Sequence, residues 1–275
     1  MRTLAILAGK EFRDGLRNRW VFATIVLLTA LALALTLLGS APVGEIKASR
    51  LSATVASLSS LSVYLLPLIA LMLSYNALVG EFERGTMILL LTYPVARWQV
   101  VVGKFLGHMA ILTVAIVVGY GVSALYIHFS GGGDAQGWRA FSALIGSSVL
   151  LGAVFIALGY LLSQLAREES MAAGLAIGTW IVMVVLYDLA LLGMLVADHG
   201  EGVGKSLFSW LLLFNPTDAY RIFNLTTFNS VTLASGMAGV GLKVGLGAGT
   251  SLLTMLVWLA ASLGGCVYLF HRREL

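Results

Sequence analysis

Six long apolar stretches punctuate the chain, near residues 20–39, 61–80, 105–129, 141–165, 171–196 and 250–270. Each is close to the roughly 20 apolar residues that a helix needs to cross a bilayer, so the pattern predicts six transmembrane helices. Ahead of them, Leu4, Leu7, Ala8, Phe12 and Leu16 recur at helical spacing against Lys10, Glu11, Arg13, Asp14 and Arg17. That alternation predicts an amphipathic helix over residues 1–19, lying in the interface with Trp20 as its membrane anchor; the alternative is a solvated basic arm. The expected fold is an all-α integral membrane protein, with an interfacial helix at 1–19 and a six-span domain at 20–275.

Two connections are more than turns. Residues 81–104 begin Glu81-Phe82-Glu83-Arg84-Gly85-Thr86-Met87, continue through a leucine run to Pro94, and end with Arg97 and Gly103-Lys104. The segment is too charged at its ends to lie in lipid and too apolar in its middle to be an idle loop. It predicts a short amphipathic helix, stopped by Pro94, that something holds at the membrane surface. Residues 197–249 form the one long connection. Within it an apolar run with Trp210 precedes Asn215-Pro216-Thr217-Asp218, a helix-start signature, and Ala219–Leu225 resumes with aromatics. That reads as a helical hairpin dipping into the outer interface, a candidate gate or docking surface. Gly131-Gly132-Gly133-Asp134 and the 166–170 connection read as tight turns.

Composition narrows the class. Charged residues make up 11% of the chain and hydrophobic ones 59%, with a mean hydropathy of +0.94; soluble domains carry about 25% charge. With the N-terminus inside, eleven of the 17 basic residues fall on cytosolic segments and six on longer outer ones, which predicts both termini in the cytosol. The net charge of +4 is thus a topology signal, and no basic face suggests nucleic acid. The leader carries Glu11 and Asp14 ahead of an apolar core longer than a signal peptide's, which favours a retained first helix. The single Cys266 makes neither a disulfide framework nor a metal cluster.

Several chemical motifs fail on inspection. His199-Gly200-Glu201-Gly202-Val203-Gly204-Lys205-Ser206 imitates a phosphate loop but has His199 where the first glycine is required. Gly239-Val240-Gly241 lacks the strand of a dinucleotide site. His108, His128, His199 and His271 are scattered, and no nucleophile pairs with them by spacing. Asn224-Leu225-Thr226 is a formal glycosylation tripeptide of little weight. Gly103/Gly107, Gly174/Gly178 and Gly241/Gly245/Gly249 have the four-residue spacing that lets helices pack closely in lipid. Methionines such as Met183 and Met194 suit Cu(I), yet thioethers in a span are more often filling. Asp188 stands apart as the one acidic residue inside a predicted span, so it is either polar glue or a functional group.

The segment Glu81-x-Glu83-x-Gly85-Thr86, the leucine run, Pro94, Arg97 and Gly103-Lys104 closely resembles the coupling segment of ABC-2 type transporter permeases, a type V exporter-like fold. Lys10-Glu11-Phe12-Arg13-Asp14-Gly15-Leu16-Arg17-Asn18-Arg19 is similar to that family's interfacial entry helix, and the match covers nearly the whole chain. Leu66-Pro67-Leu68-Ile69-Ala70-Leu71, Leu89-Leu90-Leu91-Thr92-Tyr93-Pro94 and Phe214-Asn215-Pro216-Thr217-Asp218-Ala219-Tyr220-Arg221 look most like permeases of the copper-processing complexes that mature nitrous oxide reductase. The resemblance implies a non-catalytic homodimer in the bacterial inner membrane, driven by two copies of a cytosolic ABC ATPase. ATP and magnesium would bind that ATPase and no cofactor this chain. A periplasmic β-helical protein working with a copper chaperone would be the outer partner, and copper would be handled by the complex. Glu81, Glu83, Arg84, Gly85, Thr86 and Met87 are then expected to engage the ATPase, and Asn215, Pro216, Asp218, Tyr220 and Arg221 to dock the outer partner. A lipid or small-molecule exporter of the same class is the alternative; a stand-alone secondary transporter would be expected to show an internal repeat.

Overall fold

The computed structural model describes residues 2–38, 50–130, 135–197, 205–227 and 247–273. The glycine turn at 131–134, His199–Gly204 of the phosphate-loop imitation, Gly239-Val240-Gly241 and Gly245 lie outside the described residues, as does the Trp20 side chain. All described secondary structure is helical. Helices α1 (Arg2–Leu16), α2 (Arg19–Leu38) and α3 (Arg50–Ser74) lead to two short ones, α4 (Val79–Glu83) and α5 (Thr86–Leu91). Then come α6 (Arg97–Phe129), α7 (Ala135–Leu165) and α8 (Glu169–Trp180), which runs through a π-helical segment, Ile181–Leu186, into α9 (Tyr187–Ala197). Helices α10 (Lys205–Phe214) and α11 (Pro216–Thr227) form a hairpin before α12 (Ala248–Arg272).

Five helices are long and apolar enough to cross a membrane, or up to six if the bent pair Thr3–Leu16 and Val21–Leu37 counts as one span. The two members of that pair meet at 70°, the geometry of an interfacial helix turning into a span. Three helices outrun the apolar stretches that announced them, and α3 begins at Arg50 instead of near residue 61. α6 begins at Arg97, near Pro94, instead of near residue 105, and α7 begins at Ala135 instead of near 141. Their polar first turns continue as helix because α6 packs on α1 and α7 lies at the centre against α3, α6, α11 and α12.

The core is one large cluster built from α2, α3, α6, α7 and α12, including Leu28, Leu66, Leu112, Phe155, Tyr160 and Phe270. Glycines set the closest approaches. A methyl group added at Gly107 would lie 2.5 Å from the Glu11 Cβ, and one at Gly103 would lie 2.8 Å from the Leu7 Cβ. The Gly103/Gly107 pair is therefore the seat of α1. Gly174 and Gly178 have no atom of the described residues within 4 Å of such a position, so among those residues the pair seats no neighbouring helix.

Gly107→Leu should lift α1 from α6, because overpacking costs about 1–3 kcal/mol and the α1 backbone is directly opposed. Maleimide labelling of a Leu7→Cys probe in membranes should rise several-fold in that background. Unchanged labelling would mean that α1 is held elsewhere.

Candidate functional site

The first cluster lies at the end of the bundle where α1, the α4–α5 elbow and the end of α12 meet. The Lys104 ammonium is buried and sits 2.7 Å from Glu11 of α1 and 2.7 Å from Glu81 of α4. One cation on the long helix α6 thus gathers two elements that are distant in sequence. Burial alone would push the Glu11 carboxyl up, but the charge and hydrogen bond of Lys104 outweigh it and hold Glu11 below the usual carboxylate range. The three groups sum to one negative charge, and Lys10 and Arg84 line the same polar cavity of about 210 Å³.

The elbow is tied to the bundle at further points. Ser163 of α7 accepts hydrogen bonds from the Leu78 and Val79 amides at 3.1 and 3.0 Å, satisfying donors that a short helix leaves open. Glu83 accepts the Glu169 amide of α8 at 2.8 Å. Arg97 donates to the carbonyls of Phe270, His271 and Arg273 at the end of α12, while Arg273 lies over the Phe82 ring at 4.1 Å. Between α4 and α5, Gly85 adopts a left-handed φ of 69°, which a side chain would strain. The bend turns α5 so that Met87 plugs the core while Ile88, Leu89 and Tyr93 are 58%, 66% and 67% exposed.

The sequence-derived coupling set therefore splits by position. Glu83, Arg84 and Thr86 face outward, Gly85 makes the bend, and Glu81 and Met87 point inward as supports. Ile88, Leu89 and Tyr93 were missed as contact residues, although the leucine run that contains two of them was singled out.

At the far end, the hairpin goes deeper than the interface. Trp258, ten residues into α12, donates to the Phe214 carbonyl at 2.7 Å, which places the tip about 15 Å below the start of α12 at 1.5 Å per residue. An open backbone group at that depth is expensive, and side chains meet several of those at the tip. Tyr187 donates to the Leu211 carbonyl at 2.6 Å. Asn215 caps α11 by accepting the Thr217 amide at 3.0 Å, and gives its own amide to the Met183 carbonyl within the π-helical segment at 2.6 Å.

The residues of the outer set lie within the bundle. Asn215, Pro216, Asp218 and Tyr220 are buried, because α11 packs against α7, α12 and α3, and Tyr220 hydrogen-bonds Ser148 of α7 at 2.9 Å. Arg221 turns inward to Asp188 at 2.6 Å and Asp218 at 3.0 Å. Asp188 of the fifth span thus has a guanidinium as its partner. Asn224 is buried against Ser147, so it offers no accessible glycosylation site. Among the described residues, no three His, Cys, Asp or Glu side chains converge to hold a metal ion.

Residues 5–275 match the family model described as ABC-2 family transporter protein. The chain is 44% identical over 269 residues to a probable ABC transporter permease protein NosY of Stutzerimonas stutzeri, covering 97% of each. It is also 44% identical over 272 residues to the probable ABC transporter permease protein NosY of Pseudomonas aeruginosa PAO1, covering 98% of each.

Replacing Lys104 by Met would leave two buried carboxylates facing each other, a loss of about 3–5 kcal/mol. The variant should melt well below the parent in detergent, and Glu11→Gln together with Glu81→Gln should restore part of the difference. Glu11 has a lowered pKa, so its contribution is complete above the pKa of the unfolded chain and disappears as pH falls through the folded value. The attachment of α1, read by Leu7→Cys labelling, should therefore persist through mildly acidic pH and fail only in strong acid.

Proposed function

The chain belongs to the ABC-2 family of transporter permeases, and from that membership we propose that it is the lever through which cytosolic ATPases drive a complex for copper-site maturation of nitrous oxide reductase. It is a multi-pass, non-catalytic membrane subunit, and an ABC permease works with a partner ATPase. In this reading two copies of the chain form a homodimer in the inner membrane with both termini in the cytosol. One ATPase sits under each α4–α5 elbow, and a periplasmic β-helical protein, served by a copper chaperone, sits on the outer segment. ATP and magnesium stay with the ATPase.

The observation that carries the coupling role is the division of the elbow into an exposed apolar face and a buried charged root. Ile88, Leu89 and Tyr93, rimmed by Glu83, Arg84 and Thr86, offer an anchor with a polar border, as protein interfaces do. Glu81 and Met87 fix the elbow from within. A push on α5 is then delivered to α1 and α6 through Lys104, to α7 through Ser163 and to α12 through Arg97. A lever anchored at so many points moves as a body.

The maturation role is supported by the near full-length likeness to two NosY permeases. The outer set now acts from inside. Asn215, Pro216, Asp218, Tyr220 and Arg221 hold the hairpin in the bundle, so that movement of the spans reaches the outer segment and any partner seated there.

Ile88→Asp with Leu89→Asp should abolish ATPase co-purification while leaving the permease inserted and its melting temperature within a few degrees of the parent. Undiminished co-purification would remove the elbow from the ATPase interface. Mild solubilisation of the parent from its native membrane should recover both an ATPase and a periplasmic β-helical protein. Recovery of the ATPase alone would favour the exporter reading.

A further inference from the structure

The Asp188–Arg221–Asp218 cluster joins α11 to the fifth span at depth, and its charges do not balance. Two carboxylates face one guanidinium, which leaves one net negative charge in the bundle. Arg221 Nη2 holds Asp188 Oδ2 at 2.6 Å and Nη1 holds Asp218 Oδ1 at 3.0 Å. The other two oxygens, Asp188 Oδ1 and Asp218 Oδ2, are buried and have no hydrogen-bond partner among the described residues. Asp218 is 2% exposed, and the two carboxyl groups meet at the same guanidinium.

Among the described residues, nothing else around the cluster corrects the imbalance. Tyr64 of α3 accepts from Arg221 Nη2 at 3.4 Å, and Arg221 lies 5.7 Å from that ring. Tyr187 of α9, which also faces Asp218, spends its hydroxyl proton on the Leu211 carbonyl. Among the described residues the ion pairs of the cluster are those of Arg221 with Asp188 and Asp218, and neither Arg139 of α7 nor Arg272 of α12 pairs with it. Two unionised phenols and one cation cannot neutralise two carboxylates. A single proton can, and between the carboxyls it would also meet the open oxygen on each side.

We propose that Asp188 and Asp218 form a proton-binding site, in which Asp218 carries one proton and donates it to Asp188 beneath the Arg221 guanidinium. The occupied site is neutral and closes the hairpin onto the fifth span. Losing the proton to the outer aqueous phase leaves both carboxylates ionised on one guanidinium, so the hold of α11 on α9 weakens. Binding and release are the transfer of one proton to or from one carboxylate oxygen, with no redox change. The tie between hairpin and span is thereby a function of outer pH.

The test is infrared difference spectroscopy of the full permease–ATPase complex in lipid nanodiscs, with aspartate labelled by carbon-13. At mildly acidic to neutral pH the parent should show one protonated aspartate band per chain, shifted by deuteration and lost on alkaline titration. Asp218→Asn should remove the band, and Asp188→Asn should remove it or shift its frequency. Absence of a protonated aspartate in the parent across that pH range would overturn the proposal, and needs no variant to fold. A titration that moves when sodium replaces a bulky organic cation would overturn it too, since the ligand would then be a metal cation.

Discussion

The interaction on which the architecture of the elbow end depends is the buried ammonium of Lys104 between Glu11 and Glu81. Lipid gives helices no hydrophobic reason to prefer one neighbour, so a charge taken out of water must be answered by specific partners. Lys104 is answered from both sides of the chain's early fold, by the interfacial helix and by the elbow. Glycines at 103 and 107 bring α1 near enough for Glu11 to reach. The hydrogen bonds of Ser163 and Arg97 then fix the elbow relative to α7 and α12. Such an elbow has little freedom to move alone.

The opposite end is organised by backbone satisfaction. A chain reversal at mid-depth is tolerated only where protein groups replace water. Trp258, Tyr187 and Asn215 each take one of the groups that the reversal and the π-helical segment leave open. Polar side chains that look out of place in an apolar sequence are therefore the ones the hairpin needs. The two ends are linked through α6, α7 and α12, which run the depth of the bundle and share its main core.

Much of this was legible from residue pattern. Apolar stretches announce the long helices, the 3.6-residue periodicity announces α1, and Asn215-Pro216-Thr217-Asp218 marks the start of α11. The charged run at Glu81 marked the start of the elbow, but the expected segment ran on to 104, and residues 97–104 belong to α6. What the pattern could not show was direction at the hairpin. Tyr220 and Arg221 are polar residues in a segment counted as outer loop, so an outward reading was natural, yet Tyr220 finds Ser148 72 residues away and Arg221 finds Tyr64 157 residues away. Lys104 was similarly read as a topology charge, since its partner Glu11 lies 93 residues away and belongs to another helix. Long-range pairing in a bundle leaves no periodic trace.

The π-helical segment Ile181–Leu186 has a consequence for how the fifth span faces its neighbours. Each residue of an α-helix advances the facing direction by about 100°, so one extra residue in a widened turn rotates everything beyond it. Below the segment, Ala172 joins Val79 and Ala166 in a cluster beside the elbow; above it, Leu191 joins Leu212 and Ile222 of the hairpin. A single span thereby presents its apolar stripe to the elbow with one half and to the hairpin with the other. The inserted residue is a change of gear in the middle of a shaft, and it lets one helix serve two mechanisms that lie on different sides of it.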